Sequence, residues 1–117
     1  MELKRYQKKR NELGRVQLEV CDSDIFVAFW KDHNYVSAHD RDGVEWLLSA
    51  DTTLRDIENA DDQLVRIHHS RLIRRSCIES HRYVRPKGES NGYGVVRVGG
   101  HDYRSSRRYW TLLACKE

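Results

Sequence analysis

Residues 64–75 constrain the fold of this chain more than any other stretch. They read Leu-Val-Arg-Ile-His-His-Ser-Arg-Leu-Ile-Arg-Arg. Val65 and Ile67 alternate with polar residues, and the apolar pair Leu72–Ile73 follows the His-His-Ser segment. Apolar residues at every second position are typical of a strand with one buried face. The stretch therefore predicts two strands joined by a short turn, with arginines and imidazoles left for solvent or a partner.

The rest of the chain predicts more strands than helices. Val16, Leu18 and Val20 alternate with polar residues and predict a half-buried strand. Ile25–Trp30 is apolar without a break, as expected of a strand covered on both faces. Tyr35–His39 is expected to follow it in a hairpin, and a second hairpin leads into Val44–Leu48. Cys77–Val84 is expected to form a further strand, and Tyr93–Val98 and His101–Arg104 are expected to form another hairpin.

Two helices are expected. Thr53 stands three residues before Asp56, a spacing close to a capping box, and predicts a helix of about two turns. Ser105 or Ser106 can cap a C-terminal helix with an apolar stripe across residues 109–113. The predicted fold class is mainly β, with small antiparallel sheets or hairpins, one short internal helix and a C-terminal helix.

Length and cysteine content indicate one cytoplasmic domain. A chain of 117 residues is long enough for one modest core, and its three cysteines are an odd number without short spacing. This argues against a disulfide framework and favours a reducing compartment. The longest apolar run is too short to span a bilayer, and no hydrophobic segment follows the N-terminal charges, so neither a membrane association nor a signal peptide is expected. Residues 1–15 predict a basic N-terminal arm, and residues 16–117 the folded domain.

Charge is unevenly distributed along the chain. Residues 19–62 contain three Lys/Arg and twelve Asp/Glu, whereas residues 63–117 contain twelve Lys/Arg and four Asp/Glu. A basic lobe of this kind is typical of proteins that bind phosphate groups. The alternative is that the two halves contact each other and balance their charges.

Three expected turns or loops combine base-reading side chains with basic surroundings: His33–Asn34, His68–His69 and Arg107–Arg108. Arg can bind guanine through two hydrogen bonds, Asn can bind adenine in the same way, and His can donate or accept at base edges. Of the adjacent imidazoles, His68 is expected to face inward and hold the turn, and His69 to face a partner. The candidates for phosphate contact are Lys31, Arg66, Ser70, Arg71, Arg74, Arg75, Arg104, Ser106 and Arg108.

Arg66–Ser70, followed by Leu72–Ile73 and Ile78–Glu79, resembles the R-[VI]-H-x-S signature of LytTR-type bacterial DNA-binding domains. Three more blocks resemble parts of this family in the right order: Asp24–Val36 its opening block, Thr53–Glu58 its short S-L-x-x-[LI]-E helix, and Tyr103–Arg108 its closing [LV]-x-V-S-R-[RK] block.

The resemblance implies a compact fold of small antiparallel sheets that regulates transcription by binding duplex DNA through loops. It implies that His33, His69 and Arg107 contact bases, and homodimers or tandem binding on repeated sites are compatible with it. His69 stands where the family commonly has Asn, Lys or Arg, so a contact there would be sensitive to pH. Arg74 replaces the family's usual Asn. The family's usual receiver domain has no counterpart in the sequence, so control by a phosphorylated aspartate within it is not expected.

Two other binding functions stay open. The chain could be a protein-interaction module that binds and modulates another regulator. RNA binding is a further alternative, because Tyr83, Tyr93 and Trp110 could stack on bases, although these aromatic residues also suit a core.

Neither a metal, a cofactor nor an enzyme activity is expected. His68, Cys77 and His81 lack the tight spacing of zinc ribbons or fingers. Ser70 directly follows His69 and cannot aim its hydroxyl at that ring as a catalytic triad does.

Overall fold

The computed structural model describes residues 1–6, 18–88 and 92–106. Within these ranges the chain is mainly β and antiparallel, as predicted, with ten strands and one α-helix. The strands are β1 (Glu2–Tyr6), β2 (Glu19–Asp22), β3 (Phe26–Asp32), β4 (Tyr35–Asp40), β5 (Glu45–Leu48), β6 (Leu64–His68), β7 (Arg71–Arg74), β8 (Ile78–Val84), β9 (Tyr93–Val98) and β10 (His101–Ser105). The helix is α1 (Leu54–Ala60). No helix in the described ranges has the length and apolar character needed to cross a lipid bilayer.

The strands form two antiparallel sheets. The larger sheet has seven strands in the order β2-β1-β5-β4-β3-β7-β6, and the smaller has three in the order β10-β9-β8. Sequence neighbours pair as hairpins at β3–β4, β6–β7 and β9–β10, as the sequence predicted. Gly99 and Gly100 both have positive φ, as the tight β9–β10 turn requires.

Strand β3 has a core on each side. Phe26 and Phe29 pack in one apolar cluster with Ile57 of α1, whereas Val27 packs in another with Val98 of the smaller sheet. These side chains are 0–2% exposed. The unbroken apolar run thus has the two-sided cover that was predicted for it.

The internal helix begins where the sequence predicted. The Thr53 hydroxyl accepts a hydrogen bond from the Asp56 backbone amide at 3.1 Å. Leu54 and Ile57 are its buried residues, so α1 covers one face of the larger sheet. The expected C-terminal helix across residues 109–113 lies outside the described residues and stays a prediction.

The predicted N-terminal arm is wrong for residues 2–6. These residues form β1, which lies between β2 and β5 in the larger sheet. Leu3 is 2% exposed and stands opposite Cys21 in the β1–β2 register. The basic composition concealed a strand because its stabilising partners lie far away in sequence. Residues 7–15 of the expected arm are outside the described ranges.

The predicted buried face of the next strand is also wrong. Leu18 and Val20 are 57% and 64% exposed, and Cys21 packs against the core instead. Because side chains alternate between the faces of a sheet, a register shifted by one residue reverses which of them are buried. Val16 lies outside the described residues.

Candidate nucleic-acid interface

Two of the predicted base-reading turns lie side by side at one end of the larger sheet. Trp30 of β3 stands opposite Arg71 of β7, so the β3–β4 and β6–β7 turns leave the sheet in the same direction. The Lys31 backbone amide donates to the Ser70 carbonyl oxygen at 2.9 Å. The fold therefore brings His33–Asn34 next to His68–Ser70.

Strand β10 leads the chain to the same place. The Ser106 backbone amide donates to the Ile67 carbonyl oxygen at 2.9 Å, and Arg71 Nη1 donates to the Arg104 carbonyl oxygen at 2.6 Å. We call residues 31–35, 68–71 and 104–106 together the loop end. Arg107 and Arg108 follow directly in sequence but lie outside the described residues.

His33 is held outward by an uncommon backbone conformation. It occupies the two-residue turn between Asp32 and Tyr35 with a φ of 56°, and its side chain is 93% exposed. Positive φ is uncommon for residues other than glycine, although histidine adopts it more often than most. The Asp32 carboxylate lies 3.7 Å from His33 Nε2 and can pair with the ring when it is protonated. The turn thus presents an imidazole and the exposed Asn34 amide to solvent.

The two adjacent histidines have different roles in the second turn. His68 Nδ1 accepts from the Ser70 backbone amide at 3.2 Å and lies 2.9 Å from the Ser70 hydroxyl. Burial lowers the pKa of His68, and the nearby His69 and Arg71 lower it further. His68 is therefore the neutral, hydrogen-bonded residue that was predicted to hold this turn. His69 is exposed beside it, with ring centroids 4.2 Å apart.

Arg66 braces the same turn. Its guanidinium binds both carboxylate oxygens of Glu58, at 3.1 and 3.2 Å, and Nη1 donates to the His69 carbonyl oxygen. A bidentate pair of this kind fixes geometry as well as charge. Helix α1 therefore positions His69 through Arg66. Sequence reasoning missed Glu58, which had no local signal because its partner lies eight residues away on another element.

The loop end also contains one lysine and two arginines. Lys31 and Arg104 are exposed, and Arg71 is half-buried. The Arg104 guanidinium lies 3.8 Å from the centroid of the Tyr93 ring, and this cation–π contact holds the Arg104 side chain in place. Among the predicted hydroxyl donors, Ser70 and Ser106 are both half-buried at this end.

Two predicted phosphate contacts lie elsewhere. Arg74 is 3% exposed, and its guanidinium donates to the carbonyl oxygens of Phe26 and Ser23, each at 2.8 Å, and to the Asp61 carboxylate at 3.0 Å. Its prediction as a phosphate contact is wrong, because a buried guanidinium held by two backbone carbonyls and a carboxylate cannot reach DNA. Arg75 is exposed, but it follows the opposite end of β7 from the turn.

The described residues contain no cluster of three His, Cys, Asp or Glu side chains that could hold a metal ion. No family model matches the chain, and no curated protein matches it.

Proposed function

We propose that this chain is a sequence-specific duplex-DNA-binding domain of the LytTR type that regulates transcription. One observation supports the proposal above the others. The turns containing His33 and His69, and the strand that leads to Arg107, are far apart in sequence, yet all reach the loop end. The two turns for which the sequence predicted base-reading side chains are thus neighbours on one surface.

The chemistry of this surface fits a DNA groove. The exposed His33 and Asn34 side chains and His69 offer donors and acceptors of the kind that read base edges. Arg71 and Arg104 lie together at the loop end, and their guanidinium groups are the candidates for phosphate contact. Contacts from separate loops to successive grooves favour a bent duplex, since bending increases the number of contacts that a small domain can make.

Selection of bound duplexes from a random DNA pool tests the proposal directly. We expect a defined consensus to be enriched and to bind at least about a thousandfold more tightly than a scrambled duplex. His69→Ala should weaken binding to the consensus by roughly 1–3 kcal/mol and change binding to the scrambled duplex far less. His81→Ala, on β8 of the smaller sheet, is the matched control and should leave both affinities unchanged.

Failure to enrich any sequence would overturn the proposal. Equal losses by His69→Ala on both duplexes would reduce His69 to a phosphate contact. Tight association with a protein, together with weak and equal binding of all duplexes, would replace the proposal with a protein-interaction module.

A further inference from the structure

The two sheets meet through a pair of stacked histidines that sequence reasoning did not single out. His39 of β4 and His101 of β10 have ring centroids 4.2 Å apart and ring planes inclined by 13°. The Tyr103 hydroxyl hydrogen-bonds to His39 Nδ1, and the Trp30 ring lies 4.6 Å from the His39 ring. We call these four residues the sheet junction. It lies beside the loop end, because Trp30 is paired with Arg71.

The hydrogen bond between Tyr103 and His39 depends on the protonation state of the imidazole. Tyr103 is 9% exposed, and burial, with a smaller effect from Glu45, raises its pKa far above the ordinary tyrosine value. The phenol therefore stays protonated, and its hydroxyl can donate to a bare Nδ1 or accept from Nδ1–H. Protonated His39 carries a proton on Nδ1, so in that state the Tyr103 oxygen must accept and its own hydrogen must point away from the ring.

Several charged groups surround the stacked rings. Burial lowers the pKa of His39 most, the charge of His101 lowers it further, and Glu45 and Asp40 act in the opposite direction. A groove of about 360 Å³ adjoins the junction, and its charged lining residues are Arg71, Asp102 and Arg104. Acidic and basic side chains therefore both adjoin the stacked rings.

The geometry excludes a shared metal ion as the reason for the pairing. The lone pairs of an imidazole lie in the plane of its ring, and two nearly parallel stacked rings direct theirs along separate planes. His101 Nε2 lies beside the β4–β5 turn, 3.1 Å from the point that a Cβ would occupy at Gly43. Protons are therefore the cations to which this pair can respond.

We propose that the sheet junction is a proton-operated joint between the two sheets. The stacked pair accepts one proton, because the neighbouring ring is then still neutral and the carboxylates of Glu45 and Asp40 stabilise a single positive charge. A second proton places two positive charges on rings whose centroids are 4.2 Å apart, and like charges at this distance repel each other. The second proton therefore separates His39 from His101 and loosens β10 from the larger sheet.

The joint also bears on the loop end, a consequence that rests on the proposed function. Beyond the junction, β10 continues to Arg104 and Ser106, which the larger sheet holds through Arg71 and Ile67. Loosening β10 moves these groups relative to the β3–β4 and β6–β7 turns. Acid would therefore weaken DNA binding, because the groups of β10 and of the two turns would no longer lie together.

The test follows the imidazole nitrogens and the backbone amides by NMR from pH 8 to pH 5. We expect the pKa of His39 to lie below the ordinary histidine value of about 6.5 and to rise when the charge of His101 is removed in His101→Phe. Exchange of the Ser106 amide, corrected for its intrinsic pH dependence, should accelerate at least about tenfold as the second proton binds. In His101→Phe, which keeps a stacked ring but removes one charge, the acceleration should disappear. His81→Phe is the control and should behave as the parent.

Independent titration of the two rings, or equal acceleration of Ser106 exchange in the parent and in His101→Phe, would overturn the proposal. His101→Asn provides the same readout if the phenylalanine variant does not fold. Binding to the selected duplex is measured separately at pH 7.5. If the protein did not bind this duplex, the proposed function would be wrong. The titration and exchange measurements would still test the joint.

Discussion

His33 combines full exposure with a backbone conformation that favours glycine. Its φ is 56°, and no other non-glycine residue in the described ranges has a positive φ. A strained residue whose side chain makes no core contacts contributes little to stability, so its side chain is best explained by a role outside the fold. The neighbouring Asn34 is similarly exposed but has an ordinary φ, which offers a matched comparison within one turn.

We expect His33→Gly to raise the free energy of unfolding by up to about 1 kcal/mol, because glycine adopts positive φ without steric cost. The same substitution should weaken binding to the selected duplex. Asn34→Gly is the control for flexibility and should lower stability. Urea denaturation and a duplex-binding titration measure the two effects. A loss of stability in His33→Gly would show that the imidazole stabilises the turn.

At the scale of elements, Arg74 connects its own strand β7 to β3, to the segment before β3 and to the end of α1. Its guanidinium joins the segments before and within β3, through Ser23 and Phe26, to Asp61 at the end of α1. The side chains of Arg74 and Asp61 are 4% and 12% exposed. Removing one partner of a buried ion pair leaves a charge without compensation, which costs more than the pair itself contributes.

Arg74→Ala should therefore lower the free energy of unfolding by about 3–5 kcal/mol. Arg75→Ala removes an arginine from the next, exposed position and should change it by no more than about 0.5 kcal/mol. Urea denaturation of the two variants provides the comparison. Similar effects in both would mean that Arg74 acts through general charge instead of its buried contacts.

The Asp61 carboxyl gives this network a dependence on pH. Burial acts to raise the pKa of Asp61, but hydrogen bonds from Arg74 and the Gln63 amide, with the Arg74 charge, bring it below the ordinary value. A lowered pKa stabilises the fold above the unfolded-state value of about 3.9, and this contribution is lost as pH falls through the folded-state value. Parent and Asp61→Asn should therefore differ most near pH 7 and converge below about pH 4. Asp51→Asn, an exposed control, should parallel the parent, and a constant gap for Asp61→Asn would contradict this prediction.

Local patterns in the sequence predicted most elements, but not their distant partners. The alternation around Val65, the cap at Thr53 and the Gly99–Gly100 turn are local signals, and the structure confirms the elements that they predicted. Strand β1 was missed because its place depends on pairing with β5, more than forty residues away. Arg74 was misassigned for the same reason, since a basic residue is expected at the surface unless its buried partner is known.

At the scale of the whole molecule, folding sorts the cations by position. Arg71 and Arg104 gather at the loop end, whereas Arg75 lies past the far end of β7, about 13 Å away along the strand. The sequence could nominate all three, because each belongs to the basic second half of the chain. Only the strand register shows which of them share a surface with the base-reading turns.

This sorting predicts how affinity for DNA depends on salt. Each phosphate contact releases a condensed counterion, so the logarithm of the association constant falls against the logarithm of salt concentration by about 0.9 per contact. Arg71→Gln and Arg104→Gln should each make that slope shallower by about one and weaken consensus and scrambled duplexes to a similar degree. Arg75→Gln removes the same charge at the other end of β7 and should leave the slope unchanged. The measurement is a titration of each variant with both duplexes from 50 to 300 mM salt. If all three substitutions reduced the slope equally, affinity for DNA would depend on the net charge of the chain. The loop end would then not be the DNA-binding surface.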